Sequence, residues 1–161
     1  MVKSQFFARD QGLGLMLEQV RNAGDLVLRT GILTNEAHRN GDGLTVADVA
    51  SIQEFGSADG RIPSRPAFRQ AIANNREAIV ARLREELTAM AEGKQTPRQA
   101  LGRTGLEIQA AIRKRITDLK TPPNAPSTVQ RKKSANPLID TGQLRQSVSF
   151  ELVSRKKVDP T

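Results

Sequence analysis

The sequence predicts an α+β fold, in which a small, mainly antiparallel sheet packs against two long helices and several short ones. Three observations favour this class. Two long segments carry apolar residues at helical spacing, two shorter segments have the composition of strands, and glycine and proline punctuate the chain between them. The 161 residues suffice for one ordinary domain with a core. We therefore expect a single domain over residues 1–153, followed by a basic C-terminal tail at 154–161.

The first part of the chain predicts a helix followed by a strand. Apolar residues recur at helical spacing over residues 11–23, and Gly24 is suited to close that helix. Residues 25–34, DLVLRTGILT, are aliphatic and β-branched over the length of a strand. The polar sequence NEAHRNGDG then predicts a loop.

A short helix and an extended segment come next. Thr45 and Asp48 have the spacing of a capping box, which begins a helix that ends at Gly56. In the following SADGRIPSRP, glycine and two prolines exclude regular structure and keep the backbone extended. Ser64 is suited to cap the next helix.

Two long helices are predicted to supply much of the core. An apolar stripe runs from Phe68 to Met90, with a break near Asn74-Asn75. The second helix covers residues 97–119. A proline-rich surface segment follows, with one helical turn at 127–132, and the alternating sequence SVSFELV predicts a strand with one solvated face.

The motif Asp140-Thr141-Gly142 is also the signature of the catalytic carboxylate in aspartic proteases. Those enzymes are almost all sheet and need a second aspartate that shares the proton. This chain has too much predicted helix for that class of enzyme, and the motif occurs only once in its sequence, so it supplies no second aspartate of this kind. We interpret Asp140 or Thr141 as the cap of a short helix containing Leu144 and Val148, with Gly142 allowing the turn. We predict no catalytic residue and no enzymatic activity.

Composition excludes further classes of site. There is no cysteine, and one histidine, His38, cannot build a histidine-rich metal centre, so we expect no metal and no cofactor. No apolar run approaches the ~18 residues of a membrane span, so we expect no membrane partner.

Charge is distributed unevenly along the chain. Residues 1–60 carry five Lys/Arg and eight Asp/Glu, a net −3, whereas residues 61–161 carry twenty and nine, a net +11. Such a molecule could face a polyanion, or stack its acidic part against the basic part of a neighbour. The runs RKR at 113–115 and RKK at 131–133 could bind phosphates, although a solvated helix face explains them as well. Only five phenylalanines are available for stacking on bases, so base readout is disfavoured.

Four segments, in this order and spacing, resemble the neck and tail-completion proteins of long-tailed bacteriophages, the virion morphogenesis family of λ-like, P2-like and Mu-like phages. They are LTVADVASIQEFGS, RIPSRPAFRQAI, PPNAPSTVQRKK and NPLIDTGQLRQSVSFELV. The resemblance covers about residues 25–153. Its most distinctive parts are residues 54–56, 62–66 and 137–142.

The resemblance implies a structural virion protein of the head-to-tail connection, a tail-completion or tail-terminator protein that joins tail to head. It implies a ring around the DNA channel, with other neck and tail proteins as partners and DNA passing without sequence readout. We expect a hexamer because tails are sixfold. The expected location is the virion, after assembly in the host cytoplasm.

Site residues follow from this interpretation. We expect the assembly interface to contain Phe55, Arg61, Pro63, Arg65, Pro66, Asp140, Thr141 and Gly142. Arg61 and Arg65 would reach acidic neighbours, although an intramolecular connector is an equal alternative for their segment. We expect DNA-channel contacts from Arg113, Lys114 and Lys132. The rival hypothesis is a DNA-binding module whose basic C-terminal two-thirds clamps a duplex without reading its sequence.

Overall fold

The computed structural model describes residues 3–34, 37, 43–132 and 134–158. This part of the chain forms helices α1 (Lys3–Gly24), α2 (Val46–Phe55), α3 (Ala67–Asn74), α4 (Arg76–Ala91), α5 (Pro97–Asp118), α6 (Pro126–Lys132), α7 (Gln143–Ser147) and α8 (Arg155–Val158), and strands β1 (Leu26–Ile32) and β2 (Val148–Ser154). The two strands pair as an antiparallel sheet. The predicted α+β class is confirmed.

The chain divides into two compact units. Unit 1 takes its described residues from Met1–Arg29, Ala78–Leu106 and Glu151–Thr161, and unit 2 takes its own from Thr30–Glu77 and Glu107–Phe150. Each unit is therefore assembled from separate stretches of sequence. The single domain expected over residues 1–153 stays a prediction.

Local signals set several boundaries as predicted. Thr45 Oγ1 accepts the Asp48 N–H at 3.1 Å, and Asp48 Oδ2 accepts the Thr45 N–H at 2.9 Å, so the capping box at the start of α2 is confirmed. The Thr45 hydroxyl also donates to Asp48 Oδ2 at 2.6 Å, and this bond, together with the one from the Thr45 N–H, lowers the pKa of the Asp48 carboxyl. The predicted break near Asn74 is also confirmed, because α3 ends there and Asn75 Nδ2 donates to the Ala71 carbonyl at 2.8 Å.

Both ends of the chain differ from the prediction. Helix α1 begins at Lys3 rather than at residue 11, since KSQFFARD contains neither glycine nor proline to stop it. The prediction of a loose basic tail from residue 154 is wrong for its described part. β2 continues to Ser154, and α8 begins at Arg155. The Arg155 N–H donates to the Asp25 carbonyl at 2.8 Å. His38 lies outside the described residues.

The core of unit 2 is built by the second half of α5 with α2, α3 and β2. Ile112 and Ile116 of α5, and Leu119 directly after it, pack with Val46 and Val148, and all five are at most 1% exposed. Burying an aliphatic side chain of this size contributes about 1.5–3 kcal/mol. This cluster therefore fixes the position of α2 and the start of β2, which carry much of the candidate site.

Unit 1 holds a buried carboxylate. Gln95 Nε2 donates to Glu86 Oε2 at 2.6 Å, and Arg82 and Arg103 approach the same carboxylate at 3.0 and 3.3 Å. The bond from Gln95 is the main cause that lowers the pKa of Glu86; the two arginines lower it further, and burial opposes them. Glu86 is thus a paired structural anion of unit 1.

The described helices include none that is both long and apolar enough to cross a membrane.

Candidate functional site

The end of α2 and the start of α3 are joined through Glu54. This carboxylate is 6% exposed, and its two oxygens accept the backbone N–H groups of Phe68 and Arg69 at 2.9 and 3.0 Å. It therefore caps the first turn of α3, where a negative charge is favoured by the helix dipole. Ser64 was predicted to supply this cap, but its hydroxyl donates instead to the Glu54 carbonyl at 2.8 Å.

Phe55 and Arg69 form an exposed pair beside this cap. The Phe55 ring is 68% exposed, and the Arg69 guanidinium lies over it at 4.9 Å from the ring centroid. Arg69 Nε also donates to a Glu54 oxygen at 3.0 Å. The ring is thus held outward by neighbours that are themselves fixed, as expected of a contact residue on the surface of unit 2.

Gly56 occupies a position that only glycine tolerates. Its φ of +86° and ψ of 168° lie in a backbone region almost restricted to glycine. A Cβ there would also stand 2.9 Å from the Ile62 carbonyl oxygen. The chain turns at this point so that residues 62–65 run back along α2, where the Arg65 N–H donates to the Gln53 carbonyl at 2.6 Å.

Arg65 is a buried clamp inside unit 2. Its side chain donates to the carbonyls of Pro122 and Pro123 at 2.8 and 2.9 Å and to Gln53 Oε1 at 2.9 Å. The residue is 4% exposed, and burial lowers the pKa of its guanidinium, which stays charged at neutral pH. The expectation that Arg65 reaches an acidic neighbour is wrong, because its guanidinium is buried and bonded to Gln53 and to two carbonyls of the proline segment.

Three distant segments enclose one surface recess in unit 2. Residues 61–65, 123–132 and 137–144 line it together with Val49 and Gln53, and its volume is about 470 Å³. We call this cavity the basic recess. It brings together parts of all four segments that carry the resemblance described above. No spacing in the sequence indicates that they meet.

The charges of the basic recess are unbalanced. In the described part of the chain, Arg65, Arg131 and Lys132 line it together with one carboxylate, Asp140. Arg61, at the rim, is 87% exposed and pairs with Asp59 at 3.3 Å. The recess therefore carries an excess of positive charge.

The pKa of Lys132 is affected by these charges and by burial. Burial lowers the pKa of its ammonium group, Arg65 and Arg131 lower it further, and the Asp140 carboxylate acts in the opposite direction. Its Nζ donates to the Pro137 carbonyl at 3.2 Å. Lys132 is thus a half-buried cation of the recess wall, and its contact with DNA in a channel stays a prediction.

The Asp140-Thr141-Gly142 motif forms the turn into α7. Gly142, at φ +79°, is the N-cap, and Thr141 Oγ1 accepts the Gln143 N–H at 3.3 Å. Asp140 lies in the wall of the recess. The predicted helix is present but shorter, since Val148 begins β2 instead of extending α7. Among the described residues, no group of three or more His, Cys, Asp or Glu is arranged to hold a metal ion.

The structure separates the predicted interface residues into two places. Arg61, Pro63, Asp140, Thr141 and Gly142 line the basic recess with the buried Arg65. Phe55 and Pro66 lie outside this lining, at the junction of α2 and α3.

The three residues predicted to contact DNA in the channel, Arg113, Lys114 and Lys132, differ in their exposure and in their bonding partners. Arg113 Nη2 donates to the Val148 carbonyl at 2.8 Å and ties α5 to the start of β2, and its contact with DNA in a channel stays a prediction. Lys114 is exposed and pairs with Asp118 one turn along the helix. Of the three, only Lys114 projects fully into solvent.

Sequence reasoning missed the roles of Glu54, Arg69 and Arg131. The first two act across 14 or 15 residues of chain, which no local pattern reveals. Arg131 belongs to a run that the sequence singled out, but only the structure places it in the recess.

Comparison of the chain with protein-family models, with curated proteins and with solved structures finds no match.

Proposed function

We propose that this protein is a structural component of the head-to-tail connection of a long-tailed phage, a tail-completion or tail-terminator protein that assembles as a ring around the DNA channel. The observation that carries the proposal is the basic recess. Segments 61–65, 123–132 and 137–144, recognised in the sequence by their resemblance to neck proteins, surround one cavity in unit 2.

The chemistry of this site supports assembly rather than catalysis. Its polar groups are largely committed to backbone carbonyls, as with Arg65 on Pro122 and Pro123 and Lys132 on Pro137. Such bonds fix the shape of a surface. A nucleophile or a general base would instead need an adjacent partner that activates it, and the described lining of the recess contains three cations but no second carboxylate beside Asp140.

Exposed apolar side chains support a surface that contacts other proteins. Phe55 is accompanied in unit 2 by Ile72, which is 48% exposed on α3. Large apolar groups on a protein surface are favoured at contact sites, and aromatic residues are enriched there. A ring subunit has two different faces of this kind, one for each neighbour.

The test is deletion of the gene from the phage or prophage genome that encodes the chain. We expect DNA-filled heads and complete tails that remain unjoined, and restoration of joined particles when the wild-type gene is supplied in trans. Immunogold labelling should then locate the chain at the neck. Normal joined virions in the deletion strain would refute the proposal.

The rival function is a DNA-binding module without sequence specificity. It rests on the excess positive charge of residues 61–161. It predicts a small discrete species whose affinity for duplex DNA falls steeply with salt. A ring in the absence of DNA, seen by mass photometry, favours the assembly proposal instead.

A further inference from the structure

We infer that the basic recess binds carboxylate side chains of an acidic segment in a partner protein. The inference deepens the proposed function, on which it rests for the identity of the partner as a neighbouring subunit of the assembly. Binding of carboxylates by the recess can nevertheless be measured on the isolated protein.

The charges of the recess call for an anion. Among the lining residues that the structure describes, three cations, Arg65, Arg131 and Lys132, accompany one carboxylate, Asp140, which leaves an excess of two positive charges. Arg61 adds none because Asp59 pairs with it. Cations held near one another in a partly buried site repel each other, and an entering carboxylate relieves that repulsion.

Arg131 provides the donors. Its guanidinium makes no ion pair and no hydrogen bond with any residue that the structure describes, and it lies at the C-terminal end of α6 beside the recess. A guanidinium matches a carboxylate through two parallel N–H donors. Arg65 already donates to Gln53, Pro122 and Pro123, so it contributes positive charge to the recess rather than further hydrogen bonds.

The shape and lining favour a peptide over duplex DNA. A volume of about 470 Å³ is that of a pocket for a small ligand or a few side chains. Pro63, Leu138 and Leu144 in the wall offer apolar contact to the methylene groups of an entering glutamate. A duplex is a stiff rod with phosphates on its outside, so it touches raised surfaces and does not enter such a cavity.

The experiment measures binding of a rhodamine-labelled tetraglutamate peptide to the full chain by fluorescence anisotropy. A tetraglutamine peptide with the same label is the ligand control. We expect saturable binding of tetraglutamate and none of tetraglutamine at equal ionic strength. Equal binding of the two peptides, or binding of neither, overturns the inference.

Matched variants locate the site. Arg131→Gln should weaken tetraglutamate binding by at least about threefold, because one charge-assisted contact is lost. Arg84→Gln removes the same charge from an exposed position on α4, in unit 1, and should leave the affinity nearly unchanged. Asp140→Asn should tighten binding, an effect that loss of folding cannot imitate. Equal effects of Arg131→Gln and Arg84→Gln overturn the inference.

A duplex of about 20 base pairs forms the last arm, because its phosphates are the competing source of negative charge. We expect Arg131→Gln to affect the duplex no more than Arg84→Gln does. If the duplex binds more tightly than the peptide and depends on Arg131, the recess is a phosphate site and the inference is wrong. Joined virions in the gene-deletion strain would refute the phage function without changing these affinities, so the two failures can be told apart.

Discussion

Replacement of Glu54 by alanine tests the idea that a buried carboxylate of α2 begins α3. The change removes both acceptors of the Phe68 and Arg69 N–H groups, which lie 2.9 and 3.0 Å from the carboxylate. Loss of a helix cap costs about 0.5–2 kcal/mol, and hydrogen bonds to a charged group contribute about 1.5–3 kcal/mol. Arg69 is mostly exposed, so its ion pair adds little. We expect Glu54→Ala to lower the free energy of unfolding by about 2–3 kcal/mol.

Urea denaturation followed by circular dichroism measures this loss. For m-values of about 1–3 kcal/mol/M, the midpoint should fall by roughly 0.7–3 M with the slope unchanged. Glu77→Ala is the matched control, because Glu77 is an exposed carboxylate in the first turn of α4 and contributes at most about 0.3–1 kcal/mol through the helix dipole. If Glu54→Ala costs no more than Glu77→Ala, the carboxylate does not cap α3 and the reasoning fails.

Three further changes address other parts of the structure. Gly56→Ala should lower the free energy of unfolding by about 2–3 kcal/mol, because of the backbone conformation at Gly56 and the close approach of a carbonyl oxygen. Gly102→Ala in α5 should raise it by about 0.5–1 kcal/mol. Thermal unfolding of both variants checks this, and equal shifts in the melting temperature contradict it. Arg65→Lys should lower the free energy of unfolding, measured by urea denaturation, by about 2–3 kcal/mol, because an ammonium group cannot reach all three acceptors. An unchanged midpoint would show that Arg65 does not act as a clamp. The lowered pKa of Glu86 means that its contribution to stability is present above about pH 5 and lost as the pH falls through the folded pKa. Glu86→Gln should therefore flatten the fall in unfolding midpoint between about pH 6 and about pH 3, and Glu85→Gln, a more exposed carboxylate of α4, serves as control.

Interactions close in sequence explain why much of the fold could be predicted. The Thr45–Asp48 capping box and the break at Asn74 are decided within three or four residues, so the sequence displays them directly. The interruption of the long apolar stripe by two asparagines is a local signal of the same kind.

Interactions across the chain explain the errors. The prediction that Arg65 points to a partner follows from the usual exposure of arginine. Its guanidinium instead satisfies backbone carbonyls far along the chain, in the proline segment. Ser64 looked like a cap because it stands at the right place, but Glu54, fourteen residues before the bonded amide of Phe68, supplies it.

The candidate site as a surface could not be predicted. Residues 61–65 lie more than 50 positions before the other two segments, and only the packing of α2, α5 and α7 around the shared core of unit 2 brings the three together. What the sequence offered was the set of segments, recognised by resemblance. Their convergence on the basic recess required the structure.

The loop after Gly56 is closed at its base and open at its tip. The Ser57 N–H donates to the Ile62 carbonyl at 3.0 Å, and the Ile62 N–H donates to Ser57 Oγ at 2.8 Å, while residues 58–61 face solvent. A short epitope inserted after Gly60 would therefore leave the closure intact and project beside the basic recess. An antibody fragment bound to that epitope would provide a fiducial for the radial position of the recess in electron micrographs of assembled particles.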